Sequence, residues 1–423
     1  MIKNRTTTLK RLSDNFISLF ILQFINYLVP IFLIPYLIRI LGLEGFGIYS
    51  FILAIIMYGV QLSDYGFELS ATYHISLHRN NQKKLNEIFS SVLAIKFSIA
   101  FVYLTILVIL SFFIEKLYSY QELIFIASGA LLGHILFPLW FFQGVEKMRY
   151  IMYLNGLSKL IFVISIFIFV KEESDLYLLL LLNSITTIII GITALYMAIT
   201  KFNITLSFQS TKRLFFYLKD GWYIFTSKFA VEFYTTANII ILGFFATPIV
   251  IGYYAVSIKI IHAIGSLLDP LTRTVYPYLV SVHQQSNENF ISRNKQLAIV
   301  IFMIMFPVAL LVGYFSENIL EIITGEEVMP LNIKILQVFS ISLVVYLYGS
   351  QFTNMLVTIK ATKFLNQILF ITAGLNIIFA PILIYFFGVL GMVWFSVFLA
   401  FFLMISKGYY LFLNINATKV ADI

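Results

Sequence analysis

Residues 35–72 read PYLIRILGLEGFGIYSFILAIIMYGVQLSDYGFELSAT, and this stretch decides the fold. An apolar run ends near Arg39, a turn rich in glycine (Gly42, Gly45, Gly47) reverses the chain, and a second apolar run of membrane length ends at Asp64. Two such runs joined by a short turn make a transmembrane helical hairpin, because in hydrocarbon each segment must pair its own backbone polar groups. The second arm returns later in altered form: Gly47, Tyr49 and Asp64 recur at the same mutual spacing as Gly252, Tyr254 and Asp269. The pattern predicts one helical bundle written twice, a duplication that membrane proteins use to rock one half against the other.

Composition agrees with this reading. Hydrophobic residues make up 60% of the 423 positions and charged residues 11%, against about 25% charged in an ordinary soluble domain, and the mean hydropathy is +0.94. A soluble globular domain is excluded. The chain has no cysteine, which removes disulfides, thiolate metal sites and cysteine nucleophiles. The net charge of +8 is scattered singly through loops and forms no stripe, so nucleic acid is not an expected partner. The N-terminal MIKNRTTTLKRLSDN is basic like a signal peptide, yet the run 16–38 is longer than a signal core and lacks a small-residue cleavage site. It is read as a retained first helix.

Runs able to cross ~30 Å of hydrocarbon lie near 14–38, 46–64, 87–113, 121–142, 150–170, 176–199, 217–243, 250–276, 295–315, 331–354, 364–386 and 389–413, twelve in all. Loop charges fix the orientation, since cytoplasmic loops carry the excess of Lys and Arg. With the N-terminus inside, most of the 28 basic residues fall on the cytoplasmic side, Lys407 and Lys419 among them. Arg39, Lys116 and Lys171 lie opposite, in company with acids such as Glu172, Glu173 and Asp175. The polar connection Lys201–Asp220 divides the chain into 1–205 and 206–423. Six spans is an even number, so the halves enter the membrane with one polarity, as parallel repeats do. The expected fold is an all-α polytopic membrane protein of twelve transmembrane helices, in two pseudo-symmetric six-helix lobes around a central cavity, with both termini cytoplasmic.

Charges left inside or at the edge of the spans cost roughly 2.5 to 3.5 kcal/mol each even on the lenient insertion scale, so each should face water or a partner. They are Asp64, Lys96, Lys159, Lys228, Glu232, Lys259, Asp269 and Arg273. On the eighth span Lys259, His262, Ser266, Asp269 and Arg273 step by three and four, which places all five within roughly 80° of one another on a helix. That is the face of a helix lining an aqueous cavity; the alternative is a structural pair of Asp269 and Arg273 at one helix end. Lys228 and Glu232 are also four apart, disposed either for a mutual ion pair or for contact with cargo. Five interior bases against three acids give an electropositive interior, suited to an anionic cargo such as phosphate, pyrophosphate or an acidic sugar. Pro30, Pro35, Pro138 and Pro270 are expected kinks. No phosphate loop, HExxH or Gly-x-Ser-x-Gly motif is present, so the sequence predicts neither an enzyme nor a cofactor.

Three blocks carry a family likeness: LPYLIRILGLEGFGIYSF with SDYGFELSAT; PLWFFQGVEKMRY from Pro138 to Tyr150; and GWYIFTSKF and GYYAVSIKI followed by DPLTRTVYPYL. They resemble the Wzx flippases, the O-antigen and polysaccharide transporters of the multidrug/oligosaccharidyl-lipid/polysaccharide exporter superfamily. The resemblance implies a bacterial inner-membrane protein that moves an undecaprenyl-pyrophosphate-linked oligosaccharide between leaflets, with coupling to protons or sodium in some members. It implies a cation-lined lumen, carried over to Lys159, Lys228 and Lys259, and to Lys96, Arg273 and His262, with Glu232, Asp269 and Asp64 as ion-coupling carboxylates. Membrane lipids, a polymerase and a chain-length regulator are the further partners it brings. The rival readings are a drug/cation antiporter of the same superfamily and a membrane polysaccharide polymerase. A basic interior counts against the first, and short outside loops count against the second.

Overall fold

A computed structural model describes residues 2–267 and 269–421, with side chains over 29–30, 32–267, 272, 275–276 and 278–413. Among the described residues every regular element is helical. Contacts divide the chain into two compact units, residues 1–229 and 230–423. The dividing point lies inside a helix, Thr211–Glu232, whereas the sequence reading placed it in the polar connection before that helix.

Unit 1 holds α1 (Ile2–Asp64), α2 (Phe67–Leu77), α3 (Gln82–Phe113), α4 (Glu115–Ser119), α5 (Gln121–Leu136), α6 (Leu139–Gly144), α7 (Met148–Phe169), α8 (Leu176–Lys201) and most of α9 (Thr211–Glu232). The apparent rod α1 is two helical arms meeting at Gly42, whose φ of 67° and ψ of 170° leave the helical region. Only glycine adopts that conformation without strain. Near the break, the Tyr36 hydroxyl donates to the Val170 carbonyl at 2.9 Å, and a Cβ at Gly42 would meet the Glu173 carboxylate. The second arm ends at a second break, Tyr65 (φ 44°) and Gly66 (φ 74°), from which α2 starts. Pro138, which has no N–H to donate, separates α5 from α6.

The tightest seam in unit 1 joins α5 to α8. A Cβ on Gly133 would lie 2.4 Å from the Thr187 carbonyl carbon, and one on Gly191 would lie 2.4 Å from the Gly133 oxygen. Hydrocarbon tails are as apolar as leucine, so helices in a bilayer associate through such close packing of small residues and not through water exclusion. Residues 203–210 then run without secondary structure along the start of α3. The Gln82 amide donates to the carbonyls of Phe202 (3.0 Å) and Asn203 (2.8 Å), the Asn86 carbonyl accepts from the Thr205 N–H (3.2 Å), and the Ser90 hydroxyl accepts from the Ser207 N–H (3.1 Å).

Unit 2 holds α10 (Ala237–Phe245), α11 (Pro248–Ser266), α12 (Asp269–Gln285), α13 (Asn287–Tyr314), α14 (Ser316–Thr324), α15 (Pro330–Thr358) and α16 (Thr362–Ala421). Like α1, α16 is two arms, broken at Gly388 (φ 65°, ψ −161°). α13 and α15 are joined by hydrogen bonds from the Tyr348 hydroxyl to the Ala298 carbonyl (2.7 Å) and from the Gln351 amide to the Asn294 carbonyl (2.8 Å). Among the described residues nine helices are long and apolar enough to cross a membrane, or ten if α9 and α10, bent by 43°, count as one span. The all-helical polytopic architecture read from the sequence is thus the observed one.

The eighth apolar run is not a single helix: α11 ends at Ser266 and α12 begins at Asp269. Pro270 has no N–H for the carbonyl four residues before it, and proline suits the first turn of a new helix. The five-residue polar stripe is therefore divided after Ser266.

Candidate functional site

Each unit has a cavity of its own, with polar groups set into a largely apolar wall. The cavity of unit 1, about 230 Å³, is lined by Asp64 and Glu68 on either side of the Tyr65–Gly66 break, Lys96 of α3, His134 of α5, Trp140 of α6 and Asn155 of α7, among others. The break sets its chemistry, because it delivers two carboxylates to one site from two different helices. The Lys96 ammonium, 2% exposed, sits 2.7 Å from Asp64. The Lys228 ammonium of α9 sits 2.7 Å from Glu68. Lys228 and Glu232 do not form the i,i+4 pair that the sequence allowed. Lys228 turns to Glu68, and the Glu232 carboxylate accepts the Thr236 hydroxyl at 2.6 Å. Glu68 carried no weight in the sequence reading, which ended the span at Asp64.

The cavity of unit 2 is larger, about 610 Å³. The residues between α9 and α10, together with α10, α11, α15 and α16, build its wall, which carries the hydroxyls of Ser342, Ser350, Thr353 and Ser396 and the amides of Asn238 and Asn354. Asn238 is held by a network in which Asn376 donates to its carbonyl (2.7 Å) while its own amide donates to Ser396 (3.2 Å). The described lining residues include no Asp or Glu. They do include Lys407, 5% exposed, whose ammonium donates to the Thr353 hydroxyl at 3.0 Å and the Gly349 carbonyl at 3.3 Å. This corrects the sequence reading, which placed Lys407 in a cytoplasmic segment. Helix α16 continues to Ala421, so Lys407 lies well inside it.

The remaining candidates fall as follows. His262 lines the unit 2 cavity, its ring 6.0 Å from that of Tyr346. Lys259 is half-buried one turn earlier on α11. Lys159 is half-buried on α7, next to Ser158, which lines the unit 1 cavity. The side chains of Asp269 and Arg273 lie outside the described residues.

A family described as polysaccharide biosynthesis protein matches residues 12–283, more than half of the chain. The chain belongs to that family. A relative in Escherichia coli (strain K12), named "Putative O-antigen transporter", is 33% identical over 64% of this chain and 65% of its own length, so the chain spans just under two thirds of that relative. A Shigella dysenteriae protein of the same name is 28% identical over 90% of this chain and 95% of its own. Among solved structures, the lipid II flippase MurJ in its inward closed conformation superposes with a TM-score of 0.71 at 16% identity, covering 95% of this chain and 90% of that one. An inward-facing multidrug resistance MATE family transporter of the MOP superfamily superposes with a TM-score of 0.68 at 14% identity, covering 94% and 100%. At such identities the likeness establishes the fold. The two relatives are named as O-antigen transporters, and the two structural neighbours as a flippase and a multidrug transporter.

Proposed function

We propose that this family member is a flippase carrying undecaprenyl-pyrophosphate-linked O-antigen, or another polysaccharide repeat unit, across the bacterial inner membrane by alternating access. The observation that carries the reading is the 28% identity, over 95% of that relative, with the Shigella dysenteriae protein named "Putative O-antigen transporter". Counting the arms on either side of Gly42 and Gly388 as separate spans supports twelve, six in 1–205 and six in 206–423, with both termini cytoplasmic. In the mechanism, the anionic headgroup enters a polar interior while the lipid tail stays in the bilayer, and the lobes then rock. Lys159, Lys259 and His262 face the cargo. Lys96 and Lys228 act first as counter-ions of Asp64 and Glu68. A proton or sodium ion taken up at Asp64, Glu232 or Asp269 drives the cycle by competing with such pairs.

The rival antiporter of cationic drugs shares the fold. The unit 2 cavity, with no Asp or Glu among its described lining residues and a buried ammonium in its wall, disfavours a cationic cargo. The test is complementation of a strain deleted for its own repeat-unit flippase, with surface polysaccharide and lipid-linked intermediates scored together. Restored display with loss of the accumulated intermediate is expected. Unrestored display from protein present at normal level in the membrane would overturn the reading.

A further inference from the structure

Among the ammonium groups beside the two cavities, those of Lys96, Lys228 and Lys407 are held in two different ways. Lys96 and Lys228 each meet a carboxylate at 2.7 Å. Lys407 is nearly as buried as Lys96, yet the described residues give it only neutral oxygens, one hydroxyl and one carbonyl, at 3.0 and 3.3 Å. An ammonium has three donors, and those two acceptors leave one of them over. A buried charge without a counter-charge is expensive, and a chain that keeps one at the wall of a cavity has a use for it.

The rest of the cavity narrows the ligand. Ser350 and Asn354 bring a hydroxyl and an amide to the wall near Lys407, the hydroxyls of Ser342, Thr353 and Ser396 donate to carbonyls of their own helices and offer acceptors, and Tyr234 and Tyr346 supply ring faces. Its volume, about 610 Å³, lies in the range of pockets that hold small ligands, roughly 300–1,000 Å³. Hydroxyls, amides and tyrosine rings match a sugar, whereas the uncompensated cation matches an oxyanion attached to it.

We propose that the unit 2 cavity is an oxyanion subsite, in which the Lys407 ammonium binds the phosphoryl or carboxylate group of a sugar-bearing ligand. Thr353 and Gly349 hold the ammonium in place, and Ser350 and Asn354 on the same helix face the sugar. The subsite deepens the flippase reading and rests on it for the source of the ligand: either the pyrophosphate of a lipid-linked saccharide or the carboxylate of an acidic sugar.

Titration calorimetry on the purified full-length protein in detergent, with inorganic pyrophosphate, glucuronate and glucose as probes, tests it. Wild-type protein is expected to bind one of the oxyanions more tightly than glucose. Preference for pyrophosphate identifies the lipid-linked headgroup, and preference for glucuronate identifies the acidic sugar. Lys407→Gln should weaken that binding by about 10- to 100-fold, the range for losing a hydrogen bond to a charged group, while Lys407→Arg retains most of it. If Lys407→Gln is not recovered monodisperse, Ser350→Phe fills the cavity instead and the same loss is expected. Oxyanion affinity no better than that for glucose, or unchanged in Lys407→Gln, overturns the subsite. Lys407-dependent binding together with failed complementation by the wild-type chain would sink the flippase reading and leave the subsite standing.

Discussion

Replacing Asp64 by Ala should destabilise unit 1 far more than replacing its partner Lys96 by Met, although both changes break the same ion pair. At 2.7 Å and an effective dielectric of about 20, the gross attraction is about 6 kcal/mol. Much of that offsets the desolvation of the ammonium, which is 97% shielded, with a side-chain exposure of 3% against 42% for Asp64. Asp64→Ala leaves the Lys96 charge buried and unmatched, a loss at the lower end of the range for breaking buried pairs, about 3 kcal/mol. Lys96→Met leaves a carboxylate that is already partly wetted, and its cost should be about 1 kcal/mol or less. The double variant should therefore behave like Lys96→Met alone, because the methionine removes the charge that made the first change costly. Thermal unfolding of the four proteins in one detergent, followed by intrinsic fluorescence, ranks them. Equal losses in the single variants, or a double variant that loses their sum, would refute the reasoning.

The seam between α5 and α8 has no room for side-chain atoms, so Gly133→Leu should cost at least the roughly 1–3 kcal/mol typical of overpacking and appear as a collapse in the yield of monodisperse protein. Gly42→Ala places a Cβ on a residue at φ 67° and should cost about 1–3 kcal/mol through backbone strain, read as a lowered melting temperature. Glu68→Gln should shift stability by no more than about 1 kcal/mol, because both members of the Lys228–Glu68 pair are about 40% exposed and such pairs are largely screened. Asn376→Leu removes the donor to the Asn238 and Phe233 oxygens and should cost about 1–3 kcal/mol by leaving buried acceptors unmet, again visible as a lowered melting temperature.

What the sequence disclosed follows a physical division. The break at Gly42 was legible because a turn between two apolar runs demands a residue free to leave the helical region, and glycine is placed there. That Asp64, Lys96 and Lys228 would need partners was legible too, since it depends on residue type and place in the span alone, although of the three only Lys96 is fully buried. Their partners were not: helical spacing offers Lys228 a neighbour in Glu232, but packing brings α2 alongside and supplies Glu68. Lys407 is not legible in the same way, because a basic residue near the end of an apolar run reads as a loop charge, and only the packing of α16 against Gly349 and Thr353 of α15 places it in a cavity wall. Gly129 and Gly133 carry a small-residue spacing on α5, but its meaning depends on Ser184 and Gly191 of α8 lying opposite.

The lacing of residues 202–207 to α3 bears on how the protein can be labelled. A long polar linker invites insertion of an epitope or a fluorescent domain anywhere along it, yet here the backbone is fastened at Phe202, Asn203, Thr205 and Ser207. Cargo grafted among those positions would pull the stitching apart. Beyond Ser207 the Gln209 amide still folds back to donate to the Ser207 carbonyl and hydroxyl, so a reporter belongs on the side chain of position 208, whose ring stands fully in the open, and not inserted into the backbone.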